Sequence, residues 1–75
     1  MSYKFNVLLQ KDEHGYFAFC PELKGCHSQG DTFEEAQNNI REAIELYVES
    51  MSKEEIVELL PSKQIITTTM EVELA

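Results

Sequence analysis

Two histidines, two cysteines and fourteen carboxylates are the side chains of this 75-residue chain best suited to hold a metal or move a proton. Cys20, Cys26, His27 and His14 have the right types for zinc. Structural zinc takes its ligands as pairs two to four residues apart, and this set has no such pairing. Cys26 and His27 are adjacent, and neighbours in a strand point to opposite faces, so they share no ligand geometry. Two cysteines so close together make no disulfide framework, and they read as small buried thiols. Asp12, Glu13, Asp31, Glu34 and Glu35 are the carboxylates from which a two-cation hydrolytic site would be built. Such a site needs ions about 3.5–4 Å apart on rigid supports. Asp12 and Glu13 fall in a turn, and the strand interiors carry Tyr, Phe, Val and Leu instead. Neither histidine has a serine or cysteine in a nucleophile setting. No catalytic, cofactor-binding or metal-binding residue is expected.

What remains is charge. Fourteen acids against six bases give a formal net charge of −8. Residues 31–60 carry nine of the acids and two of the bases. This balance repels the phosphate backbone, whose neutralisation by Lys and Arg supplies most non-specific nucleic-acid affinity, so direct nucleic-acid binding is not expected. Glu42, Glu45 and Glu49 fall on neighbouring turns of one helix with Arg41 nearby, and Glu54, Glu55 and Glu58 follow. Glu45 and Glu49 are a like-charge pair four apart, which costs a few tenths of a kcal/mol. A solvated face usually mixes its signs. These six glutamates are the candidate partner-binding residues, for a basic protein whose association complementary charge would speed. The bland alternative is that the acids serve solubility.

The elements that position these residues follow from periodicity. Tyr3, Phe5, Val7 and Leu9 alternate with polar residues, the pattern of a half-buried strand. A polar turn over Asp12–Gly15 leads into a second strand, Tyr16 to Cys20, aromatic on both faces. Pro21 ends it, and a short third strand follows from Cys26 to Gln29. Thr32 and Glu35 form a capping box before a long helix, whose apolar stripe is Phe33, Ala36, Ile40, Ala43, Ile44, Tyr47, Val48 and Met51. Ser52 and Glu55 cap a short second helix that Pro61 stops. From Ile66 onward, Thr68, Met70, Val72 and Leu74 alternate with Thr67, Thr69, Glu71 and Glu73, the pattern of a fourth strand. The expectation is an α+β fold of order β-β-β-α-(short α)-β over a single domain, residues 1–75. Its four-stranded sheet, in order 3-2-1-4, is covered on one face by the long helix.

Three separated motifs carry a resemblance. They are Gly15-Tyr16, then Pro21-Glu22-Leu23-Lys24-Gly25-Cys26, then Gly30-Asp31-Thr32-Phe33-Glu34-Glu35-Ala36. In this order they resemble the HicB family of antitoxin domains over nearly the whole chain. The resemblance implies a partial RNase H-like fold without that enzyme's active site. It also implies an antitoxin that holds a small basic ribonuclease toxin, HicA, inactive by binding it. Many members add a DNA-binding module after this domain, and the sequence as it stands leaves no room for one after the fourth strand. The motif residues themselves, Gly15, Tyr16, Pro21, Gly25, Gly30, Asp31, Thr32, Glu35 and Ala36, read as fold determinants. The three glycines are expected at positive φ, and the acids and threonine at the positive end of the helix dipole.

A domain this small rarely draws more than ~3–5 kcal/mol from its own core. One helix on one sheet also leaves a face and an edge short of cover. A homo-oligomer, dimer or tetramer, built along strand four or through the open sheet face, is therefore expected. No stretch approaches the ~18–20 apolar residues of a membrane span and the start lacks a signal peptide's features, so a cytoplasmic location is expected. The alternative role is an oligomeric scaffold or regulator of the same fold with no toxin partner.

Overall fold

The computed structural model describes residues 2–75. β1 (Leu8–Asp12) and β2 (Gly15–Phe19) make a tight antiparallel hairpin in which Asp12 faces Gly15. The Asp12 side chain accepts the His14 amide at 2.8 Å, closing the two-residue turn. β3 (His27–Gly30) adds antiparallel to β2, with Phe19 opposite His27 and Tyr16 opposite Gly30. α1 (Phe33–Glu49) and α2 (Lys53–Leu59) follow, and α1 packs on β3 and β2. Ala18, Cys20, Leu23, Cys26 and Ile40 are the buried centre, with Phe5, Val7, Leu9, Ala43, Ile44, Val48 and Leu59 packed around it.

Both expected residues cap their helices, but only α2 forms the full capping box expected of each. Thr32 Oγ1 accepts the Glu35 amide at 3.1 Å, while the Glu35 carboxylate reaches back one residue further, to the Asp31 amide at 3.3 Å. At α2 the box is reciprocal: Ser52 Oγ accepts the Glu55 amide and Glu55 accepts the Ser52 amide, at 3.2 and 2.9 Å.

Two expectations are corrected. The α+β class holds, but the sheet has three strands in order β1-β2-β3 and not four in order 3-2-1-4. Residues 66–74 join no ladder, and Ile66, Met70, Val72 and Leu74 are 73–92% exposed. The chain does return to the β1 side, where the Asn6 side chain donates to the Lys63 carbonyl and accepts the Ile65 amide at 3.1 and 3.0 Å. Beyond that clamp a strand beside β1 would have little to bury against, because α1 lies over β2 and β3. Period-two alternation states which side of a segment wants cover; it does not supply the cover.

The second correction concerns the glycines. Gly15 and Gly25 have φ of +130° and +78°, but Gly30 is not at positive φ. Gly30 is required for a different reason: a Cβ there would stand 2.6 Å from the Ala36 backbone nitrogen, so the residue lets β3 pass against the first turn of α1.

Candidate protein-interaction site

Glu42, Glu45 and Glu49 lie at the i, i+3 and i+7 positions of one exposed ridge of α1. The ridge runs toward the helix C-terminus, where the last turn holds no basic residue. Of the three, Glu49 lies in the last turn and faces the negative end of the helix dipole, which costs the helix stability there. Among the described residues the one ion pair is His14 with Glu13, so none of these three glutamates is in ion-pair contact with a Lys or Arg, and Arg41 is the one base on α1.

On α2, Glu54 and Glu58 are exposed and four residues apart, another like-charge pair. Glu55 behaves differently. Its carboxylate is held by the Ser52 amide and hydroxyl, which lowers its pKa from the ordinary 4.5. Of the six candidate acids, then, five present free carboxylates and Glu55 closes a helix cap.

Apolar side chains within the acidic surface were missed in the sequence. Leu46, between Glu45 and the end of the ridge, is 69% exposed, and Val57 stands open beside Glu58. The signal was present: Leu46 is the one large aliphatic residue of α1 that falls outside the apolar stripe. Singly exposed aliphatic residues are ordinary on a protein surface, so Leu46 and Val57 are simply open apolar side chains beside the acids.

The motif residues converge elsewhere. Tyr16 meets Phe33 edge-on at 6.2 Å and receives Lys11 Nζ over its ring at 5.8 Å, tying the start of β2 to the start of α1. Pro21 to Gly25 makes the turn whose Leu23 is buried, with the Leu23 amide donating to the Cys20 carbonyl. Ala36 is fully buried beneath that junction. These residues lie at the turns and at the start of α1, and the three glutamates lie toward its other end.

The remaining chemical candidates do not assemble. Cys20 and Cys26 are buried, and burial pushes both thiols above their ordinary value. His27 lies on the opposite side of the sheet from Cys26, stacked on Phe17 at 5.6 Å. Among the described residues no three His, Cys, Asp or Glu side chains gather to hold a metal ion. The question of which side of β2 is covered also resolves: Ala18 is buried under α1, while Phe17 and Phe19 lie on the other face, 6.1 Å apart, with Phe17 40% exposed. No helix of the described residues is long and apolar enough to cross a membrane.

A family model described as the HicB-like antitoxin of bacterial toxin-antitoxin systems matches residues 5–73. A UPF0150 protein of Synechocystis sp. is 68% identical over 53 residues, covering 69% of this chain and 67% of the relative. A UPF0150 protein of Helicobacter pylori is 51% identical over 61 residues, 81% of this chain and 85% of the relative. One from the archaeon Thermoplasma acidophilum is 49% identical over 51 residues, 67% and 74% of the two chains.

Proposed function

Because the chain belongs to the HicB-like antitoxin family, we propose that it is a single-domain, non-enzymatic cytoplasmic module that neutralises a small basic ribonuclease toxin of the HicA kind by covering it. The uncompensated acidic ridge Glu42, Glu45 and Glu49 carries this reading. A ribonuclease must attract RNA phosphates, so its active face is cationic, and a folded acidic ridge competes for that face. Glu54 and Glu58 extend the negative surface on α2, and Leu46 gives it an apolar anchor. Masking of this type needs no catalytic group in the antitoxin, and the proposed module self-associates as a dimer or tetramer.

An affinity pull-down of the tagged chain from its own host, washed at low and high salt and identified by mass spectrometry, tests the reading. A stoichiometric small basic protein that elutes at high salt and cleaves RNA once freed supports it; recovery of the bait alone contradicts it. A second reading, an oligomeric scaffold or regulator with no toxin, is favoured by segment 66–74, whose apolar row is exposed and joins no strand of this chain.

A further inference from the structure

The segment 66–74 leaves the body of the molecule. The radius of gyration is 14.7 Å and the longest extent 53 Å, whereas a compact chain of this length has a radius of about 11 Å. Four aliphatic side chains along this arm are largely in water, and its backbone amides and carbonyls pair with no strand. An unpaired, alternating arm is a template for strand addition. We propose that its occupant is the same segment of a second copy, joined antiparallel about a two-fold axis at Met70. This deepens the self-association in the proposed function and does not depend on a toxin.

The residue order argues for a second copy. A two-fold axis demands a segment complementary to its own reverse. With Met70 opposite Met70, Ile66 faces Leu74 and Thr68 faces Val72, so one side of the ribbon is a continuous mainly apolar row. On the other side Thr67 faces Glu73 and Thr69 faces Glu71, so each of the arm's carboxylates meets a threonine. Moving the register two residues in one direction sets Glu71 against Glu71, and four sets Glu71 against Glu73, both like-charge pairs. The Met70 register therefore pairs the whole arm and keeps its negative charges apart. Nine paired residues supply about eight to ten backbone hydrogen bonds, the number found in a typical protein interface. A two-stranded ribbon is marginal by itself, so the association is expected to depend on concentration.

The arm touches little of the body, so substitutions in it leave the fold intact and the test is direct. Light scattering of the full chain across a concentration series is expected to show a dimer that Met70→Lys, which sets two cations face to face, returns to monomer. Met70→Cys, exposed to oxidised glutathione, is expected to run as a covalent dimer, since directly opposed residues lie within disulfide reach. Val72→Cys alone is expected to stay unlinked, because its two copies stand about 13 Å apart along the ribbon at ~3.4 Å per residue. Mixing Thr68→Cys with Val72→Cys restores the cross-link. Native Cys20 and Cys26 are buried and do not compete. A chain that is monomeric at every concentration overturns both this pairing and the proposed self-association. A dimer indifferent to Met70→Lys, or one in which Val72→Cys links as readily as Met70→Cys, overturns the pairing alone.

Discussion

Gly25 and Gly30 show how one residue type answers two different demands. Gly25 sits at φ +78° with open space where a side chain would point, so its constraint is conformational. Gly30 meets the Ala36 backbone at 2.6 Å from the position of a Cβ, so its constraint is space. Gly25→Ala is expected to cost about 1–2 kcal/mol, and Gly25→Asn less, because Asn visits left-handed backbone more readily. Gly30→Ala is expected to cost about 1–3 kcal/mol by overpacking, and Gly30→Asn more. Urea midpoints at constant m-value check this opposite response to Asn. The sequence pattern assigned both to positive φ, which holds for Gly25 and fails for Gly30, because close approach depends on where α1 lands. The buried thiols give a pH prediction. Burial raises Cys20 and Cys26 above the ordinary 9.0, so the unfolded chain releases those protons first. The stability they contribute is present below pH 9 and is lost as pH rises through the raised values. Denaturation midpoints between pH 7 and 10 should fall, and fall less in Cys26→Ala than in the parent.

Among the elements, the hairpin turn, the second and third strands and both helices were legible because each carries its own local signal of turn residues, period or caps. The first strand was misplaced, its alternation over Tyr3 to Leu9 giving way to a strand at Leu8–Asp12. Thr32 and Ser52 each accept the amide three residues on, as their capping patterns require. Thr32→Ala is expected to cost about 1 kcal/mol, read by thermal unfolding. The fourth strand was not realised because its alternation is local while its partner is not; the Asn6 side chain holds residues 63 and 65 just before β1, and no ladder forms there. The acidic ridge was legible for a related reason, since helical spacing alone puts Glu42, Glu45 and Glu49 together. Leu46 was not, because the face a helix buries is set by the sheet it meets. Replacing Glu42, Glu45 and Glu49 by Lys exchanges the Glu45–Glu49 like-charge pair for a Lys–Lys pair and sets the Lys at position 45 four residues from Arg41, while the Lys at position 49 suits the negative end of the helix dipole. The opposing terms leave the fold intact and stability within about 0.5 kcal/mol of the parent. Circular dichroism during thermal unfolding checks that expectation.

At the scale of the whole molecule, the chain is a small sheet with one helix-covered face, an acidic exterior concentrated on α1 and α2, and an exposed arm over residues 66–74 that joins no strand. The two surfaces are proposed for separate associations, the ridge with a cationic protein and the arm with a second copy. Met70→Lys should therefore disturb self-association without removing the ridge's charge, and the triple glutamate variant should do the reverse. The central claim is that the acidic ridge masks a basic ribonuclease. The most direct measurement is RNA cleavage by the basic protein captured with this chain, titrated with the parent chain and with the Glu42→Lys, Glu45→Lys, Glu49→Lys variant at low and high salt. The account predicts that the parent abolishes cleavage near equimolar ratio, that inhibition weakens as salt rises, and that the folded triple variant needs at least a tenfold excess, about 1.4 kcal/mol of lost binding. Inhibition by the triple variant equal to the parent's at both salts would contradict it.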